Sequence, residues 1–129
     1  MPNSFRRTCL YGFFCELKRR KVYRVARHAL LGLIYAGLGR CDEAKAEAKR
    51  AIDLLPESKD AFDGPILTSS RARIHLMCAD LDATFALIER SLPAPAGITV
   101  PELRLDPVWD GLPADPRLQP LLAKYGAEK

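Results

Sequence analysis

The stretch VARHALLGLIYAGLGRCDEAKAEAKRAIDLLPES, residues 25–58, decides the fold. Its apolar and small residues recur every three or four positions. Ala29, Leu33 and Ala36 fall on one side of a helix, and Leu31, Ile34, Tyr35 and Leu38 on the neighbouring side. Gly39 stops that helix. A second run, Asp42 to Leu55, opens with two carboxylates that favour a helix N-terminus, continues through Ala44, Ala46, Ala48, Ala51 and Ile52, and halts at Pro56. The two runs make a helical hairpin.

The hairpin has the length and spacing of a tetratricopeptide repeat, a 34-residue unit with fixed small and aromatic positions. With Val25 as position 1, the signature slots hold Leu31 at 7, Gly32 at 8, Tyr35 at 11, Gly39 at 15, Ala44 at 20, Ala48 at 24, Ala51 at 27 and Pro56 at 32, while His28 replaces the aromatic at 4. Small residues at 8 and 20 let the two helices approach closely, and Tyr35 fills the space beside them. A second copy follows at an offset of 40, pairing Ile74-His75 with Ile34-Tyr35, Ala79 with Gly39 and Asp82 with Asp42. Its helices are expected from about Pro65 to Cys78 and from Asp82 to Leu92. This copy is degenerate, with Thr84 at position 20 and Ser91 at 27, as suits a last repeat that meets something other than another repeat.

Beyond Leu92 the composition changes. Nine Pro or Gly residues in the 28 positions from Pro93 to Pro120 exclude a long helix. Val100 to Leu105 reads as a helical turn, and Asp115-Pro116 as the start of a final helix to Tyr125. Val108, Trp109 and Leu112 lie between them, and the economical expectation is a lid over the second hairpin. Two hairpins are fewer than the roughly three that a continuous core needs. The Pro-rich tail, a helix through Phe13, Phe14, Leu17, Val22 and Val25, or self-association into a homo-oligomer would supply the rest. The expected fold is therefore all-α, an α-solenoid of hairpin repeats with an N-terminal helix and a Pro-rich cap. Its parts are a basic segment (1–24), repeat one (25–58), a linker (59–64), repeat two (65–98) and the cap (99–129).

Composition agrees with one folded domain: 129 residues, 48% hydrophobic and 28% charged. The net charge of +4 hides a division. Residues 1–28 hold eight Lys or Arg against Glu16 alone, net +7, whereas the remaining residues carry a net −3. Arg6 and Arg7 precede too short an apolar run for a secretory signal, and Arg24, Arg27 and His28 interrupt the best candidate for a membrane span. A cytoplasmic location is expected, with peripheral attachment to the inner membrane as the alternative. Cys9, Cys15, Cys41 and Cys78 show no C-x-x-C spacing and read as buried or half-exposed thiols, with no metal or cofactor expected.

The run Phe13-Phe14-Cys15-Glu16-Leu17-Lys18-Arg19-Arg20-Lys21-Val22-Tyr23-Arg24-Val25-Ala26 resembles a juxtamembrane motif of bacterial multi-domain signalling proteins of the adenylate-cyclase-like and TolB-like type that carry tetratricopeptide repeats. Leu54 to Pro65, Glu102 to Leu112 and Asp115 to Leu118 resemble the C-terminal repeat block of the same proteins. The resemblance implies a repeat fold with a scaffold or sensor role. Here the membrane helix and middle modules of those proteins are absent, so it carries no cyclase or other activity over. It also admits a truncated remnant of a larger signalling protein.

No Gly-rich phosphate loop and no nucleophile set with motif context is present. His28 and His75 sit where packing residues belong, and Asp42, Glu43, Glu47 and Asp53 read as the solvated side of the second helix. The sequence therefore points to a non-enzymatic protein–protein interaction module. Its expected contact surface is the concave face lined by the first helix of each hairpin, Ala29, Leu33, Ala36, Ser69, Arg73 and Leu76, with Arg73 facing an acidic group on a protein or peptide partner. Lys18, Arg19, Arg20 and Lys21 are candidates for an anionic lipid surface, where each basic residue contributes about 1 kcal/mol. No nucleic-acid reading motif accompanies them, and none is expected as a partner.

Overall fold

The computed structural model describes residues 21–112 and 115–126. In order, these form α1 (residues 21–37), α2 (Cys41–Leu54), α3 (Asp63–Met77), α4 (Leu81–Ser91), α5 (Val100–Leu105), a 3-10 turn (Pro107–Trp109) and α6 (Leu118–Gly126), with no strand among the described residues. The architecture is all-α. α1 runs without interruption through residues 24 and 25, as a helix leading into the first helix of the hairpin requires. Val22, placed on an inner stripe by its spacing from Val25, is more than half exposed, whereas Val25 is buried.

The two hairpin turns repeat each other bond for bond. After α1, Leu38 N–H donates to Ile34 O, Gly39 N–H to Ala36 O and Arg40 N–H to Tyr35 O; after α3, Cys78, Ala79 and Asp80 donate to Ile74, Leu76 and His75. Both turns need a left-handed residue to bring the chain back, and the positions that supply it are 40 apart, Gly39 at φ +77° and Ala79 at φ +59°. Start signals differ between the helices. Asp80 caps α4 by accepting from Ala83 N–H, and Asp60 accepts from Phe62 and Asp63 N–H, so α3 begins at Asp63, two residues ahead of Pro65.

Packing follows the small-residue positions. Ala36, Ala44 and Ala48 meet Ile74 of α3 in a buried cluster. A Cβ added at Gly32 would lie 2.8 Å from Ile74 Cδ1 and 3.2 Å from Ala44 O, so glycine lets α1 approach α2 and α3 without displacing Ile74. In the second hairpin the same slots hold Ala72 and Thr84, both fully buried. Thr84 is tolerated because its hydroxyl donates to Asp80 O at 2.7 Å, and Ser91 because its Oγ accepts from Ile98 N–H at 3.0 Å. The degenerate positions thus hold the α4 N-terminus and the entry to the tail.

The tail closes the α3–α4 end. Ile98, Leu103, Trp109, Leu112, Leu118 and Leu122 join Ala72, Phe85 and Ile88 in the largest buried cluster. Arg117 fastens the rim, stacking 4.5 Å over the Phe85 ring and reaching Asp82 at 2.7 Å and Asp115 at 2.8 Å.

The cysteine expectation is corrected. Cys41, the first residue of α2, and Cys78, the C-cap of α3, form a disulfide with Cα atoms 5.7 Å apart. Sequence spacing hides this pairing because the two cysteines, 37 residues apart, are placed side by side only by the folding of the two turns. Cys9 and Cys15 lie outside the described residues.

Candidate functional site

Two partly buried polar networks join neighbouring helices. His28 of α1 hydrogen-bonds Glu47 of α2, and Arg50 Nη1 donates to the other Glu47 oxygen at 2.6 Å. Glu47 is buried rather than on the solvated side as its charge suggested, whereas Asp42, Glu43 and Asp53 are exposed. The His28 hydrogen bond, aided by Arg50, holds the Glu47 carboxyl below its ordinary value against the opposing effect of burial. In the second network Lys45 Nζ donates to Asp80 Oδ2 at 2.9 Å, and His75 Nδ1 lies 3.1 Å from the same oxygen. Asp80 is lowered to about 2, by Lys45 first, then His75, then the Ala83 amide. Each histidine therefore serves a carboxylate that ties neighbouring helices. Their repeat positions marked them as interior, but nothing in the spacing marked the partners.

The expected concave site does not form an open surface. None of its six residues is exposed. Ala36 belongs to the α1–α2–α3 cluster with Leu33 packed against it, and Ala29 packs on the Val25, Ala51 and Leu67 cluster. Leu76 lies against the Trp109 cluster and Ser69 is half-buried. Arg73 is already engaged by the chain itself, by Glu102 at 2.9 Å, Asp106 at 3.7 Å and the Trp109 ring at 5.7 Å. The tail supplies the acidic groups that an outside ligand would have brought.

Exposed apolar side chains lie instead on the other side of α1, with others scattered at Phe62, Ile66, Met77, Leu105 and Val108. Tyr23, Leu30, Ile34 and Leu38 are 69, 60, 56 and 66% exposed and lie within one stripe, Leu30, Ile34 and Leu38 being successive i, i+4 neighbours. The core residues Val25, Gly32 and Ala36 point the opposite way. Arg27, four residues after Tyr23 and three before Leu30, lies within this stripe, and Lys21 and Arg24, also exposed, stand elsewhere on the N-terminal half of α1. Lys18, Arg19 and Arg20 lie outside the described residues. A signal for the stripe exists in the sequence: α1 is apolar over two adjacent sides, wider than one packing contact uses.

Among the described residues no group of three His, Cys, Asp or Glu side chains is arranged to hold a metal ion, and no helix is long and apolar enough to cross a membrane. Comparisons with protein-family models, with curated proteins and with solved structures found no match.

Proposed function

We propose that this chain is a non-enzymatic helical-repeat module of the tetratricopeptide type, a scaffold or accessory in bacterial signalling that engages a protein partner through the outer stripe of α1. The observation that carries the reading is an asymmetry between the two ends. The tail covers the α3–α4 end with a buried cluster, whereas Tyr23, Leu30, Ile34 and Leu38 at the α1 end have no covering element among the described residues. Exposed apolar residues gathered at one helix face, as Leu30 and Ile34 are with Leu38 just beyond the helix end, suit an interaction site. An apolar stripe at helical spacing suits an amphipathic helix laid along α1. The repeated turns and the small residues at Gly32, Ala44 and Ala72 support the repeat type.

A pulldown with the full chain tests the reading. Wild type is expected to retain a partner that Ile34→Asp loses with its melting temperature unchanged; equal recovery by both proteins refutes the stripe as the contact surface.

A second reading is favoured by one observation, the basic residues Lys21, Arg24 and Arg27 beside exposed Val22 and Tyr23. In it the chain lies against an anionic membrane surface. Flotation with phosphatidylglycerol vesicles separates the two: salt-sensitive binding supports the membrane reading, and its absence removes it.

A further inference from the structure

A cavity of about 150 Å³ opens between the end of α2, the 56–58 connection, α3 and α4. Ile52 and Leu87 form its apolar wall, and its polar lining includes Glu57, Thr68, Arg71 and Arg90. Glu57 is committed within the chain: Thr68 Oγ1 donates to Glu57 Oε1, and Arg90 Nη2 lies 3.4 Å from Glu57 Oε2. Arg71 has no such commitment. It takes part in no ion pair among the described residues, and its buried Nε–H has no hydrogen-bond partner. Two arginines thus line a cavity that offers one carboxylate, and the buried Arg71 Nε–H is a donor left without a partner there.

A buried donor without a partner costs free energy, and a guanidinium beside apolar walls favours a bidentate oxyanion over water. The volume equals that of about five water molecules in the liquid, enough for a carboxylate or phosphate group with a short apolar extension toward Ile52 and Leu87. We propose that this cavity binds a small oxyanion, held by the Arg71 fork with Arg90 at the rim. The site stands apart from the α1 stripe, and neither depends on the other.

The test uses the full chain labelled with ¹⁵N, titrated with sodium acetate and separately with inorganic phosphate, against sodium chloride at matched ionic strength. The Arg71 Nε–H resonance and the backbone amides of Ser58 and Arg90 are expected to shift saturably with acetate or phosphate and not with chloride. Tighter binding of acetate identifies a carboxylate ligand, and tighter binding of phosphate a phosphorylated one. Followed at the amides, Arg71→Met is expected to weaken binding roughly tenfold or more. Should that variant fail to fold, Arg71→Lys keeps the charge without the fork and is expected to weaken it severalfold. Shifts that never saturate, that chloride reproduces, or that the folded variant retains undiminished overturn the proposal.

Discussion

Ala79 holds the left-handed backbone that Gly39 holds in the first hairpin, and an alanine Cβ makes that conformation unfavourable by about 1 kcal/mol. Ala79→Gly removes the clash while adding some freedom to the unfolded chain, so thermal unfolding is expected to show a gain of roughly 0.5 kcal/mol. A loss would mean that the turn does not require the left-handed residue. Asp80, the next residue, carries a pH signature. Its folded pKa of about 2 lies below the ordinary 3.8, so its stabilisation is complete above that ordinary value and is lost as pH falls toward 2. Asp80→Asn is expected to lower the melting temperature at neutral pH and to flatten its decline over that acid window, read from melts across a pH series. At this scale the sequence was least informative. Periodicity sorts charged residues to the outside, and Glu47 is interior only because His28, 19 residues earlier, faces it across the hairpin.

Between elements, the decisive contact is the tail against α3 and α4. Trp109 is 1% exposed within the largest cluster, where the tail meets α3 and α4. Trp109→Ala is expected to cost roughly 3–5 kcal/mol, measured by denaturant unfolding. A loss near zero would show that the tail is merely appended. This much was legible beforehand: Val100 to Leu105 reads as a helical turn, which the structure caps with the Thr99 hydroxyl, and Trp109 and Leu112 bury as a lid requires, whereas Leu105 and Val108 stay exposed. The acidic residues of the tail were harder to place. Glu102 and Asp106 reach Arg73 only because the chain folds back across α3, a geometry that breakers announce without directing. The contacts of the tail with Arg73 and Leu76 on the expected concave face were hidden for the same reason.

Across the whole molecule, the disulfide and the open α1 face set the behaviour. Cys41–Cys78 closes a 37-residue separation and fixes the first hairpin to the second; loop-closure entropy puts its contribution at about 4 kcal/mol. Addition of a thiol reductant is therefore expected to lower the melting temperature of the wild type and leave that of the Cys41→Ala/Cys78→Ala protein unmoved, whereas equal responses would show that the bridge is not stabilising. In a reducing cytosol the pair would be held as thiols, and the hairpins would rely on the Ile74 cluster and the Lys45–Asp80 contact. The division of charge takes on a spatial meaning too, because Arg27 of the basic segment lies within the exposed apolar stripe. The most direct measurement is site-specific photo-crosslinking in the native cell, with the photoreactive residue at position 34 and, as control, at position 105, where Leu105 is equally apolar and 81% exposed on the tail. A discrete protein adduct at 34 and none at 105 is the predicted result; no adduct at 34, or the same adducts at both positions, contradicts the assignment of α1 as the partner surface.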